Sequence, residues 1–273
     1  MNRLSPQLRR ALLVPALVAA VAAAAGCTQK ESGTTTEAGV NLVTAGKLIT
    51  CTHLPYEPFQ YKDTTGKVVG FDVDLIDLVA KKLQVTQEIK DMPFEGIKSG
   101  QALNSGQCDL AAAGMTITEE RRKVIDFSDP YFNATQAMLV NADSAYARLE
   151  DLAGKKVGVQ AQTTGADYVD KQKKDAGLAI EVVSYKDLAA LQQALATGQV
   201  EAAVNDMPVL ALQVRKDAAK YKIGATFDTG EKYGFAVKKG GNPKLLETIN
   251  KVLADARADG TYENVYKQWI AAS

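Results

Sequence analysis

The run Ala113-Gly114-Met115-Thr116-Ile117-Thr118-Glu119-Glu120-Arg121 has the residue types and spacing of an anion receptor. Thr118 is a good N-cap for a short helix that carries Arg121 in its first turn. The guanidinium, the Thr116 hydroxyl and the backbone N–H of Gly114 or Thr116 can then converge on one carboxylate, with charge-assisted bonds worth roughly 1.5 to 3 kcal/mol each. The competing reading is a solvated charged helix face, as the adjacent Arg122 and Lys123 suggest for themselves. A second run, Gln160-Ala161-Gln162-Thr163-Thr164-Gly165, follows an apolar strand, and Thr164 and Asp167 have the spacing of a capping box. The helix that opens there points backbone N–H groups outward. Asn205-Asp206 ends another apolar segment, where an aspartate is either a charged ligand contact or a turn former. No His/Cys metal spacing, nucleophile constellation or phosphate-binding loop accompanies these residues, so neither cofactor nor metal is expected.

These residues need elements to hold them. Extended segments at Lys47–Thr52, Val85–Lys90 and Cys108–Ala113 alternate with helical patterns at Gly70–Leu83 and Phe94–Asn104. After an extended crossing at Gln136–Val140 a second series begins. Strands are expected at Lys156–Val159, Ile180–Ser184 and Ala202–Asn205, with helices at Gly165–Asp175, Lys186–Thr197 and after Pro208. Alternation with short connections implies parallel sheets with helices on their faces. Tyr233–Lys238 reads as a further strand, followed by a helix entering at Pro243, stopping near Gly260 and resuming through Trp269.

The N-terminus reads as a targeting segment. Arg3, Arg9 and Arg10 precede an apolar run from Ala11 to Ala25, too short to span a bilayer but suited to a signal-peptide core. Ala24, Ala25 and Gly26 then lead into Cys27, which resembles a bacterial lipobox, although Ala24 stands where leucine is usual. The alternative is an ordinary secretory signal with an incidental cysteine. Residues 1–26 are expected as the leader and 27–42 as a polar tether. No later apolar run is long enough to span a bilayer, so a body anchored at the outer face of a membrane is expected. In an oxidising compartment Cys51 and Cys108 then invite either a disulfide or two buried thiols. Lysine plus arginine and aspartate plus glutamate both total 32, so no bulk field points to nucleic acid.

The stretch Gly70-Phe71-Asp72-Val73-Asp74-Leu75-Ile76-Asp77-Leu78-Val79-Ala80-Lys81-Lys82-Leu83 resembles the signature of the polar amino-acid-binding family of extracytoplasmic solute receptors, and the resemblance runs from about Leu48 to Trp269. It implies an α/β, two-lobed periplasmic-binding-protein-like fold of type II, with two parallel-sheet lobes joined by two hinge crossings at Gln136–Val140 and Tyr233–Lys238. Residues 43–138 with 234–273 would form lobe 1 and 139–233 lobe 2, the C-terminal helices packing back on the first. Ligand would sit in the cleft beyond the strand ends. Tyr56, in the loop Pro55-Tyr56-Glu57-Pro58-Phe59, and Phe94 match the family's aromatic walls, though Phe94 also fits a plain core position. Arg121 matches the family's carboxylate receptor and Asp206 its ammonium receptor. Gly114, Thr116, Gln160, Thr163 and Thr164 complete the expected contacts.

His53 departs from the pattern. Several members that bind cationic or amide side chains carry an aspartate there, so its absence counts against a guanidinium ligand, while Gln160 and Gln162 point toward neutral polar recognition and His53 is either a specificity residue or structural. The implied function is a monomeric, lipid-anchored receptor that captures a free polar amino acid, glutamine-like or basic, and passes it to the permease of an ABC importer. Two alternatives stand beside it: a secreted enzyme resembling the cyclohexadienyl dehydratases, and a sensor module. Sensors usually continue into a membrane segment, whereas this sequence stops at Ser273.

Overall fold

The computed structural model describes residues 35–271, and Cys27 and the expected leader lie outside them. The chain begins with β1 (Lys47–Thr52), the hairpin β2 (Tyr61–Lys62) and β3 (Val68–Val69), α1 (Phe71–Lys82) and β4 (Thr86–Asp91). Then come α2 (Phe94–Lys98), α3 (Gln101–Asn104), β5 (Leu110–Ala111), α4 (Glu119–Arg122) and β6 (Ile125–Phe127). The second series comprises β7 (Phe132–Asn141), β8 (Lys156–Gln160), α5 (Thr164–Asp175), β9 (Glu181–Tyr185), α6 (Leu188–Ala196), β10 (Ala202–Asp206), α7 (Met207–Lys216) and β11 (Tyr221–Tyr233). β12 (Ala236–Lys238), α8 (Pro243–Ala258) and α9 (Thr261–Tyr266) close the chain.

Two five-stranded sheets carry the two lobes, in the orders β4-β1-β5-β12-β6 and β11-β7-β10-β8-β9. They are mixed rather than purely parallel. β4, β1 and β5 run parallel, as do β9, β8 and β10, whereas β12 and β7 are antiparallel to their neighbours. The antiparallel members are the strands with which the chain enters one lobe or re-enters the other. Gln136–Val140, expected as a hinge crossing, lies inside the second sheet, where it pairs with Asp206–Ala202 of β10. The 138/139 boundary expected between lobes therefore cuts a strand, and the chain passes between the sheets a few residues earlier. There Phe132 to Ala134 pairs with Tyr233 to Glu231, so the two linking segments support each other.

The Gly70 stretch shows why its residue types recur together. Gly70 has φ 139°, and a Cβ there would stand 2.2 Å from the Phe59 carbonyl oxygen, so only glycine lets the helix start abut the Tyr56 loop. The Phe71 and Asp72 amides donate to the carbonyls of Pro58 and Phe59. Leu75, Ile76 and Val79 of α1 join Leu245, Ile249 and Leu253 of α8 in one buried cluster, which places the C-terminal helices on the first lobe. Asp74 accepts from Trp269 Nε1 at 2.6 Å. Full burial of such an aliphatic side chain stabilises by about 1.5–3 kcal/mol. An acidic residue in the first turn contributes about 0.3–1 kcal/mol, so the apolar stripe decides where α1 sits.

Three expectations change in detail. The helix expected over Phe94–Asn104 is two short helices, because Gly100 between them adopts φ +74°. The tether expected over residues 27–42 ends sooner: Val40 and Leu42 are buried in the α1–α8 cluster, two apolar anchors within a polar composition. The strand expected over Cys108–Ala113 is only Leu110–Ala111. Cys51 and Cys108 form a disulfide with Cα atoms 5.7 Å apart, inside the cluster beneath α2 and α3. Among the described residues no helix is long and apolar enough to cross a membrane.

Candidate functional site

The parallel strands of both sheets aim their carboxyl ends at one cleft, and the sequence places its polar residues just beyond those ends. His53 and Tyr56 follow β1, Phe94 follows β4, and Gly114 and Thr116 follow β5. Gln160 ends β8, Thr163 and Thr164 open α5, and Asp206 ends β10. All nine expected contact residues, with His53, line one cavity with about 340 Å³ of space between atoms, part of it continuous with solvent. Gln60 and Ala113 also line it, and sequence reasoning missed both.

Arg121 forms the floor on the first-lobe side. The Thr118 hydroxyl caps α4 by accepting the Arg121 amide at 3.1 Å, which turns the side chain inward, away from the exposed Arg122 and Lys123. Arg121 Nη1 donates to the Thr116 carbonyl at 2.7 Å and Nη2 to the Gln162 carbonyl at 3.3 Å, while the guanidinium carbon lies 5.4 Å from the centre of the Phe94 ring. The residue is 5 % exposed, and it belongs to none of the ion pairs among the described residues. Burial pushes its pKa down, opposed at longer range by Asp206, Asp167 and Glu231. A cation fixed by two carbonyls and one aromatic face is poised for an anion that can accept its remaining N–H groups.

Asp206 faces it from the second lobe. Its carboxylate accepts from the Tyr56 hydroxyl, from the Tyr233 hydroxyl and from the Gln136 amide. The side chain is buried, and its pKa is raised to about 6, first by desolvation and then by Glu231, against the lowering effect of its three donors. The same burial beside Asp206 pushes the Tyr56 and Tyr233 hydroxyls well above their ordinary range, so both remain donors. Tyr56 also reaches Asn205 Oδ1 at 2.7 Å, and Asn205 Nδ2 donates to Gln160 Oε1 at 3.1 Å. Tyr56 comes from the first lobe and Asn205 and Asp206 from the second, so the Tyr56 contacts exist only with the lobes together.

Four expected residues take different parts. The Gly114 N–H is already committed to Asp72 Oδ2 at 2.9 Å, because that buried carboxyl, which also accepts from the Tyr131 hydroxyl at 2.7 Å, needs donors. Gly114 instead serves by lacking a Cβ, which would meet Tyr56 Cε1 at 2.9 Å. The cap of α5 is Thr163, whose hydroxyl accepts the Ala166 amide at 3.2 Å and donates to the Gln160 carbonyl at 2.8 Å. Thr164 is thereby freed to donate its hydroxyl to Glu231 Oε2 at 2.9 Å, and the Thr116 hydroxyl, expected on the ligand's carboxylate, donates to the same oxygen at 2.8 Å. Gln162 does not line the cavity, and its contribution is the carbonyl that receives Arg121, presented from a backbone at φ 70°.

His53 lines the cavity beside Phe94, their ring centres 6.5 Å apart. Its Nδ1 lies 2.9 Å from the Met92 carbonyl, which only accepts, so Nδ1 carries a proton. Its Nε2 is buried with no partner among the described residues. Besides Gln60, the polar residues Gln136, Glu231 and Tyr233 stand around the cavity and were not singled out by the sequence. The one signal was Gln136, a polar residue in the apolar run of β7 at a position that is fully buried. Among the described residues no group of three His, Cys, Asp or Glu side chains is arranged to hold a metal.

Known proteins share this fold. An ancestral arginine-binding protein bound to arginine superimposes with a TM-score of 0.76 at 46 % identity, covering 82 % of this chain and 98 % of that structure, and the same description bound to glutamine gives 0.76 at 45 % over 83 % and 98 %. The ancestral amino acid-binding protein described as a precursor of cyclohexadienyl dehydratase gives 0.73 at 35 % identity over 82 % of this chain and 95 % of that structure. A probable histidine-binding protein of Neisseria gonorrhoeae is 33 % identical over 219 residues, 79 % of this chain and 80 % of the relative. Residues 48–272 match one family along nearly the whole described body, and the chain belongs to that family, the bacterial extracellular solute-binding proteins, family 3.

Proposed function

We propose that this chain captures one polar amino acid, glutamine-like or basic, between its lobes and delivers it to the permease of an ABC importer, acting as a monomer without chemistry of its own. The observation that carries this reading is Arg121, buried and outside every ion pair among the described residues, across the cavity from the Asp206 carboxylate. A zwitterion read from both ends joins the two lobes. Closed lobes present a surface that a permease can distinguish from open ones. The neighbour described as bound to arginine and to glutamine, and the relative described as histidine-binding, support an amino acid whose side chain carries an N–H donor. His53 supports a polar ligand, since it lines the cavity with Nδ1 committed to the Met92 carbonyl and Nε2 buried without a partner among the described residues. Calorimetry with the twenty amino acids tests the reading. Tight binding of arginine, glutamine or histidine is expected, and binding of none of the twenty overturns it.

An enzyme on this scaffold is the second reading, favoured by one observation: the Asp206 carboxyl, at about 6, can hold a proton close to neutrality. Turnover of a cyclohexadienyl substrate by the purified protein would establish it, and unchanged substrate after prolonged incubation removes it. Attachment through a lipid on Cys27 is also part of the proposal and rests on the sequence before the body. Cys27→Ser is expected to move the protein from the membrane to the soluble fraction, and equal membrane association of both forms overturns the anchor.

A further inference from the structure

We infer that Glu231 is a positioning residue that turns the lone pairs of the Thr116 and Thr164 hydroxyls into the cleft, so that the side-chain wall they form with Asp206 favours an ammonium over a carboxylate. The inference rests on the amino-acid reading above and adds how the chain tells the two ends of its ligand apart. Glu231 stands opposite Ala134 in the paired segments that link the lobes. It does not line the cavity itself. Its Oε2 accepts the Thr116 hydroxyl at 2.8 Å from the first lobe and the Thr164 hydroxyl at 2.9 Å from the second. The Gln136 amide nitrogen lies 3.2 Å from the same oxygen and 3.3 Å from Thr164 Oγ1 and also donates to Asp206 Oδ1, so one NH2 group, with two protons, stands between the two carboxylates.

The consequence follows from counting protons. A carboxylate has none to give, and a threonine hydroxyl has one. Both hydroxyl protons therefore point at Glu231, and the 3.3 Å approach of the two threonine oxygens is a packing contact between acceptors. Thr116 and Thr164 both line the cavity, so what they turn toward its contents is lone pairs. With the Asp206 carboxylate they make a wall without a hydroxyl donor of its own. An ammonium brings three N–H groups to such a wall. A carboxylate there would meet like charge and unpaired lone pairs, and so is directed to Arg121. Because the two hydroxyls come from different lobes, the same carboxylate also ties this polarity to lobe closure.

The test compares L-arginine, L-glutamine and L-histidine with the three acids that lack only the α-amino group, by titration calorimetry on the wild type, Glu231→Ala and Glu231→Gln. In the wild type the amino acid that binds should exceed its desamino partner, and Glu231→Ala should shrink that ratio by about tenfold, the scale of one charge-assisted hydrogen bond. Glu231→Gln keeps a carbonyl oxygen for both hydroxyls and should hold the ratio within about threefold, a twofold-to-threefold change being under 1 kcal/mol. Equal losses for amino acid and desamino acid in Glu231→Ala would mark a merely structural residue and overturn the inference. A ratio that collapses in Glu231→Gln overturns it too, and remains decisive if the alanine variant fails to fold. A wild type that binds none of the amino acids overturns the amino-acid reading instead, a distinct result.

Discussion

Replacing Arg121 by alanine is expected to lower affinity for the preferred amino acid at least about a hundredfold, or about 3 kcal/mol, while leaving the ligand-free protein as stable as before or more so. The two halves of this expectation come from one fact. A guanidinium that is 5 % exposed and joins no ion pair among the described residues has lost much of its hydration, and two carbonyls and the Phe94 face return only part of it. A ligand carboxylate supplies the missing charge, so the protein carries a standing electrostatic cost that binding relieves. Arg121→Lys keeps the charge and loses the planar fork, and its affinity should fall between wild type and alanine. Titration calorimetry and thermal melting of ligand-free protein read the two effects separately. An alanine variant with near-native affinity would refute the carboxylate assignment, and a large loss of melting temperature would mean that Arg121 chiefly holds the fold.

Local rules made Arg121 visible in the sequence. A threonine cap three residues before an arginine fixes the direction of that side chain whatever the rest of the chain does, and Thr118 does so here. The same kind of rule failed by one residue at Thr163 and Thr164. Both are competent caps, and the choice is made by the backbone at Gln162, whose positive φ has no strong sequence signal. Gly100 split an expected helix for a similar reason, since a lone glycine in a helical pattern can be tolerated or can turn the chain. Gln136, Glu231 and Tyr233 were not legible because their positions depend on two strands that meet across about a hundred residues. The sheets were read as parallel from alternation alone, and β7 and β12, which reverse direction, carry no mark of it in their residues. The family resemblance supplied the lobe order that periodicity cannot give.

Asp206 yields the second large expectation, a pH dependence of opposite sign in binding and in stability. Its carboxyl is raised from 3.8 to about 6, by burial first and by Glu231 second. An ammonium ligand requires the ionised form, so affinity should be level above about pH 7 and fall toward tenfold per unit below 6, the slope for one proton. Stability of the ligand-free protein runs the other way. Between 3.8 and about 6 the folded state holds a proton that the unfolded chain has released, so stability falls as pH rises through that window and is level above it. The change amounts to roughly 3 kcal/mol for a shift of about two units. Asp72, raised by burial to about 7, has the same sign and extends the decline of stability toward neutrality without touching binding. Asp206→Asn should flatten the binding profile below pH 7, reduce the stability slope between 3.8 and about 6 to the share that Asp72 contributes, and weaken ammonium ligands about a hundredfold, as loss of one member of a buried charge pair does. Denaturant melts and calorimetry from pH 4 to 8 on both proteins measure each profile. If the variant keeps the wild-type pH dependence of affinity, the titrating group is not Asp206, and the ammonium is received elsewhere in the cleft.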